Sequence, residues 1–245
     1  MKRLFLTIII SIGLFTLGAK AQSNTGFAVV ELFTSEGCSS CPPADALIAK
    51  IQQENTGKPV YVLAFHVDYW DRQGWKDRFS DHVFTERQQQ YATWLHSNEV
   101  YTPQAIINGK TDFVGSEAVK MHSLIARELQ HSNQESISLS DLVIGKGKIN
   151  FKYNVVSPKR TKVVFVLVQK DAVSQVKSGE NRGRTLGHVQ IARSLASVDL
   201  NSSKTGTMQL GLPTGTDAGQ FEVIAFVQNA NNGVITAASK LSTNI

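Results

Sequence analysis

The sequence predicts an α/β first half followed by a smaller all-β, sandwich-like second half. Three observations predict it. Apolar runs and a helical pattern alternate as strand, helix, strand between Phe27 and Phe65. The pair Asn108-Gly109, set between two short strand-like runs, is a strong hairpin signal. From Ile137 onward the period becomes two, and helical pattern nearly disappears.

Residues 1–21 read as a leader to be removed before the chain folds. Lys2 and Arg3 form its positive start, Leu4 to Leu17 its apolar run, and Ala19-Lys20-Ala21 its cleavage site. The apolar run falls short of the roughly 20 residues a membrane span needs. The chain is therefore expected to be exported, periplasmic or secreted, with cleavage near Ala21. Whole-chain charge is +5; losing Lys2, Arg3 and Lys20 from 25 basic residues leaves 22 against 20 acidic, or +2. That balance gives no reason to expect a nucleic-acid or anionic-membrane partner. Two cysteines in so long an exported chain also exclude a disulfide-stapled scaffold.

The first strand, Phe27 to Thr34, leads to Cys38-Ser39-Ser40-Cys41, which contains both cysteines of the chain. Pro42 and Pro43 then open a helix, because proline is tolerated where the first N–H groups lack intrahelical partners. A dithiol at a helix start favours thiolate over thiol, and a spacing of three puts both sulfurs on one face. Closing so small a loop constrains the unfolded chain by only about 1.9 kcal/mol, which argues against a structural staple. Half a zinc site is excluded by the lack of a second cysteine pair. Cys38 is expected to be the exposed attacking thiolate and Cys41 the covered resolving thiol. Ser39 and Ser40 would supply donors to the sulfur, while Glu36 opposes the thiolate and keeps the pKa depression moderate.

Leu47, Ile48 and Ile51 continue the helix until Thr56-Gly57-Lys58-Pro59 stops it, and Val60 to Phe65 reads as a buried parallel strand. His66, Asp68 and Trp70 follow its carboxyl end, the end that lines sites in open α/β sheets. His66 either tunes the thiolate or is a buried, hydrogen-bonded histidine. An aromatic stripe within about 71–97 suggests a helical insertion of two or three short helices. Ala105 to Ile107 and Thr111 to Val114 form the hairpin, and Ser116 is expected to cap a helix with Val119, Leu124, Ile125 and Leu129 inward. The first domain is placed at 22–133 and the second at 134–245. Strands are expected at Ile149–Val155, Val163–Val168, Thr207–Leu212, Phe221–Val227 and Val234–Ala238. Lys177 to Arg193, with Arg182, Arg184, His188 and Arg193, reads as a loop that is either solvated or an anion or partner site.

The strand leading into Cys38-Ser39-Ser40-Cys41 on a helix, with Thr102-Pro103 ahead of a hairpin strand, resembles the thioredoxin superfamily. The resemblance implies a thioredoxin-like first domain and a cis Pro103 facing the dithiol. Thr102 would then offer a short backbone edge to an extended substrate. It also implies a buried acid beneath the dithiol, for which Glu31 is the candidate, unless Glu31 is a satisfied polar residue at the sheet edge. More specifically, Glu31 to Asp45, His66 to Asp71 with Gly74 to Asp77, Arg87-Gln88 and Gly179 to Arg184 resemble the secreted family called domain of unknown function 1223.

The expected function is an extracytoplasmic thiol–disulfide oxidoreductase that exchanges with protein thiols or disulfides. It needs no cofactor beyond the Cys38–Cys41 redox disulfide. The rival is a binding protein without turnover, either docking a partner or holding copper on Cys38, Cys41 and His66, ligands soft enough for that metal.

Overall fold

The computed structural model describes residues 26–97, 99–132, 134–157, 161–200 and 204–243. The expected leader at 1–21 lies outside them. The described chain forms β1 (Ala28–Thr34), α1 (Pro42–Glu54), β2 (Val60–His66), α2 (His82–Trp94), β3 (Gln104–Ile107), β4 (Thr111–Val114) and α3 (Ala118–Leu129). There follow β5 (Ser136–Gly145), β6 (Lys148–Val156), β7 (Thr161–Gln175), β8 (Thr185–Asp199), β9 (Thr205–Gly211), β10 (Phe221–Asn229) and β11 (Ile235–Ser242).

The strands of the two halves share one sheet. Eight strands run in the order β11-β10-β7-β8-β2-β1-β3-β4, and β5-β6-β9 form a second, three-stranded sheet. The join is β2 against β8, parallel, with Ala64 opposite Ile191. This overturns the expected α/β thioredoxin-like domain followed by a separate all-β domain: the chain is mostly β, built on a large mixed sheet. The physical reason is β8, a strand in a segment the sequence reads as loop. Its inward positions include His188 and Gln190, both buried, so a polar pair interrupts the apolar alternation that would announce a strand. Two smaller expectations also fail. Ser116 does not cap α3, whose N-cap is Glu117 without a side-chain bond, and Val119 is 86% exposed.

Both faces of the large sheet are covered, so alternate residues of one strand enter different cores. Val30 and Leu32 of β1 pack with Ala44, Ile48 and Ile51 of α1 and Met121, Leu124 and Ile125 of α3. Val29 and Phe33 point the other way, into a core that α2 covers with Phe84 and Tyr91. That second core continues through Val164 and Val166 of β7 to Ile224 and Phe226 of β10, so it spans both halves. The intervening residues Val163, Phe165, Val223 and Ala225 meet Phe151 and Tyr153 of the three-stranded sheet.

Glu31 lies on the α2 face. Arg87 donates from Nε to Glu31 Oε2 at 2.5 Å and from Nη2 to Oε1 at 2.9 Å, and the Tyr91 hydroxyl also donates to Glu31. Gln228 of β10 completes the group, accepting from Arg87 Nη1 at 3.3 Å and donating to the Tyr91 hydroxyl at 2.9 Å. Glu31 is thus a satisfied ion-pair partner, on the face opposite α1 and the dithiol that opens it, and not the acid beneath the sulfurs. Gly109 is required at its turn: φ is +65°, and a Cβ there would lie 2.0 Å from the Gly233 carbonyl oxygen.

Arg87→Met should cost about 3–5 kcal/mol, because it leaves the Glu31 carboxylate buried and unpaired. Urea unfolding should show the loss, and pairing it with Glu31→Gln should recover part of it. An unchanged midpoint in the single variant would show that the pair does not stabilise the core under α2.

Candidate functional site

Cys38 and Cys41 are joined by a disulfide at the mouth of α1. Two successive turns deliver it: Cys38 N donates to Ser35 O at 3.2 Å, and Cys41 N to Cys38 O at 3.2 Å. The helix starts immediately after, with Cys41 as N-cap and prolines at its first two positions. Those prolines contribute no N–H, so donors for a Cys38 thiolate must come from elsewhere. Ser40 Oγ lies 3.3 Å from Cys38 Sγ and is the nearest candidate.

The Thr102–Pro103 peptide is cis. Thr102 sits beside the dithiol, its carbonyl oxygen 3.9 Å from Cys38 Sγ and 3.5 Å from Ser40 Oγ. Trp70 fixes Thr102 by donating from Nε1 to its hydroxyl at 2.7 Å. Cys38, Ser40, Thr102, Pro103 and Trp70 therefore converge. Asp68 does not. It accepts from Thr85 Oγ1 at 2.5 Å and pairs with His82 at 3.0 Å, tying the 3-10 turn Asp68–Gln73 to α2.

Both cysteines have no exposed surface, which corrects the expectation of an exposed Cys38 over a covered Cys41. The tip of the β7–β8 hairpin lies against them. Asn181 Nδ2 donates to the carbonyls of Glu36 and Cys38, each at 2.9 Å, and Glu180 Oε2 accepts from Ser39 N at 3.0 Å. Arg184 is an exposed turn residue whose Nη1 donates to Asn181 Oδ1 at 2.9 Å. Arg193, on β8, stacks on Phe79 and donates to Gln169.

Beneath the dithiol lies a buried cluster of acids and histidines. His66 Nδ1 is 2.6 Å from Asp77 Oδ2, and Asp77 also accepts from the N–H groups of Glu36 and Phe79, each at 2.9 Å. Glu36 accepts from Trp75 Nε1 at 2.7 Å, and its Oε1 is 3.3 Å from His188 Nε2. The rings of His66 and His188 meet edge-on at 5.0 Å. Asp45, one turn along α1 from Cys41, accepts from Thr34 Oγ1 at 3.0 Å. Glu36 Oε1, His66 Nε2, Ser174 Oγ and both His188 nitrogens are buried without an aligned hydrogen-bond partner, a concentration of polarity that packing alone does not demand.

Burial works against charge on His66, but Asp77, Asp45 and Glu36 outweigh it and hold the histidine above its ordinary value. Burial likewise opposes the Asp77 carboxylate, and His66 overcomes it, leaving Asp77 below the usual range. Burial dominates at Asp45 and pushes its carboxyl up despite His66 and His188. At Glu36 burial is outweighed by His188, Ser174 and Trp75, so its carboxyl lies low.

Sequence reasoning gave Asp45, Asp77, Glu180 and Asn181 no site role, and it read His188 as part of a loop that is solvated or an anion or partner site. Asp45 was signalled by its place one turn after Cys41; the others arrive from distant segments. Among the described residues no group of three or more His, Cys, Asp or Glu is arranged to hold a metal. No described helix is long and apolar enough to cross a membrane. The disulfide itself fits an oxidising compartment.

A family model described as "Protein of unknown function (DUF1223)" matches residues 29–228. A crystal structure of a protein from Agrobacterium tumefaciens is 27% identical with a TM-score of 0.66, covering 89% of this chain and 94% of that one. A β-glucuronidase from Ruminococcus gnavus aligns over 44% of this chain and 15% of its own at 15% identity, and its TM-score of 0.25 carries no likeness of fold. No curated protein matches the chain significantly.

The His66–Asp77 pair gives stability a pH signature. A histidine with a raised folded pKa stabilises fully below its unfolded value, and that contribution is lost as pH rises through the folded value. Asp77, lowered, contributes above the ordinary carboxylate range and loses it as pH falls. Urea unfolding across pH should therefore show stability falling on the alkaline side of the histidine range, and His66→Gln should flatten that fall. An identical slope in the variant would mean that His66 carries no charge in the folded protein.

Proposed function

The chain belongs to that family of proteins of unknown function, and we propose that it is an extracytoplasmic thiol–disulfide oxidoreductase acting on protein thiols or disulfides. The observation that carries this reading is the Cys38–Cys41 disulfide itself, set between the Thr102 carbonyl 3.9 Å from Cys38 and a buried acid–histidine cluster. A staple of so small a loop has little to stabilise, and it has no use for titratable groups beneath it.

In the reduced protein, the Cys38 thiolate attacks one sulfur of a substrate disulfide. The substrate bond breaks, and the leaving sulfur takes the electron pair and a proton. Cys41 then loses its proton and attacks Cys38 in the mixed disulfide, releasing the second substrate thiol and closing the Cys38–Cys41 bond. The reverse sequence oxidises a substrate dithiol. Asp45, one turn on from Cys41 and held toward its neutral form by burial, is the group suited to exchange that proton. Ser40 donates to the Cys38 thiolate, and the Thr102 backbone pairs with the extended substrate beside it.

Equilibration against glutathione buffers should give a midpoint between about −120 and −270 mV, the span of known oxidoreductases. A midpoint well below about −300 mV would identify a structural disulfide and end this reading.

A further inference from the structure

Exchange needs an incoming sulfur to approach the S–S bond, yet Cys38 and Cys41 have no exposed surface. What lies against them is a compact turn between β7 and β8. Gly183 N donates to Val176 O at 2.8 Å, Arg182 N to Gly179 O at 3.2 Å and Arg184 N to Asn181 O at 3.1 Å, so the turn holds its own shape. It is attached at separate points: Asn181 to the Glu36 and Cys38 carbonyls, Glu180 to Ser39 N, and the Ser178 hydroxyl to Gly74 O. Asn181 is buried while Glu180 and the residues 182–185 are exposed, so the outer side of the turn faces solvent. Of residues 178–184 only Asn181 is buried, so releasing the turn breaks few packed contacts.

We propose that residues 178–184 form a redox-sensitive lid, closed on the disulfide and released by reduction, which controls access of bulky substrates to Cys38. This rests on the oxidoreductase reading. The charges at the contact decide the direction. In the disulfide form Cys38 is neutral, and the Glu180 carboxylate binds the N–H of the adjacent Ser39 unopposed. When dithiothreitol reduces the bond, it closes to its own disulfide and supplies two electrons. Of the two protons that dithiothreitol gives up, Cys41 takes one and the other goes to solvent, leaving Cys38 as a thiolate. That charge now stands beside the Glu180 carboxylate, with the buried Glu36 carboxylate behind it. Arg184 donates to Asn181 Oδ1 and His188 Nε2 faces Glu36 Oε1, so both side chains are engaged away from Glu180. Like charges weaken the contact, and by reciprocity the closed lid favours the disulfide.

Two readouts test the lid. Reduction of the oxidised protein is timed with dithiothreitol and with reduced thioredoxin, a bulky protein dithiol. Glu180→Ala removes one charge-assisted hydrogen bond and should speed reduction by thioredoxin about tenfold, with a smaller effect on dithiothreitol. Glu180 is exposed, so this variant does not threaten the fold. In the unaltered protein, hydrogen exchange at Ser39 and at residues 179–184 should accelerate on reduction. Equal rates in the variant together with unchanged exchange on reduction would overturn the lid. A midpoint below the oxidoreductase range would overturn the functional reading instead, and the exchange readout would still decide the lid.

Discussion

The Asn181 amide donates to the carbonyls of Glu36 and Cys38, and the setting of the dithiol depends on a long hairpin reaching that point. The hairpin reaches it because β8 joins β2 in parallel while β7 continues into β10 and β11. Once that pairing is made, the halves of the chain cannot be independent. The core under α2 runs through both, and the Glu31–Arg87–Gln228 group links β1, α2 and β10 inside it. A buried ion pair is a poor source of net stability but tolerates no loss of one partner. It therefore acts more as a condition on assembly than as a reserve of energy.

The acid–histidine cluster follows from the same arrangement. Glu36 and Asp45 come from the two sides of the dithiol, His66 from the end of β2, Asp77 from the segment before α2, and His188 from β8. Carboxylates and imidazoles so deeply buried persist only when they neutralise one another. The pairing is uneven: His66 and Asp77 hold each other in their charged forms, while burial keeps Asp45 toward its neutral form. An acid held toward its neutral form one turn from Cys41, with a charged pair behind it, fits the thiol–disulfide exchange proposed for the sulfurs.

Much of this was legible in the sequence, and the rest was hidden for identifiable reasons. The Cys-x-x-Cys between a strand and a proline-opened helix, the β1-α1-β2 order and the Asn108-Gly109 hairpin are local patterns, and local patterns survive in a sequence. The β8 strand was not legible because His188 and Gln190 occupy inward positions and hide its alternation. With β8 unread, the joining of the sheets and the cover over the sulfurs were unread too. The side to which Glu31 points depends on which face of the sheet each helix covers, which a period-two pattern leaves open. Asp45 stood in plain view one turn after Cys41, but its burial depends on residues far away in the chain.

The account turns on Cys38 being the sulfur that exchanges. Cys41→Ser and Cys38→Ser leave one thiol each, at the two ends of the same short loop. Both reduced variants are mixed with oxidised glutathione near neutral pH, and the adduct is followed by mass spectrometry. Cys38 in the Cys41→Ser protein should form its mixed disulfide several-fold faster than Cys41 in the Cys38→Ser protein. Equal rates, or a faster Cys41, would contradict the account.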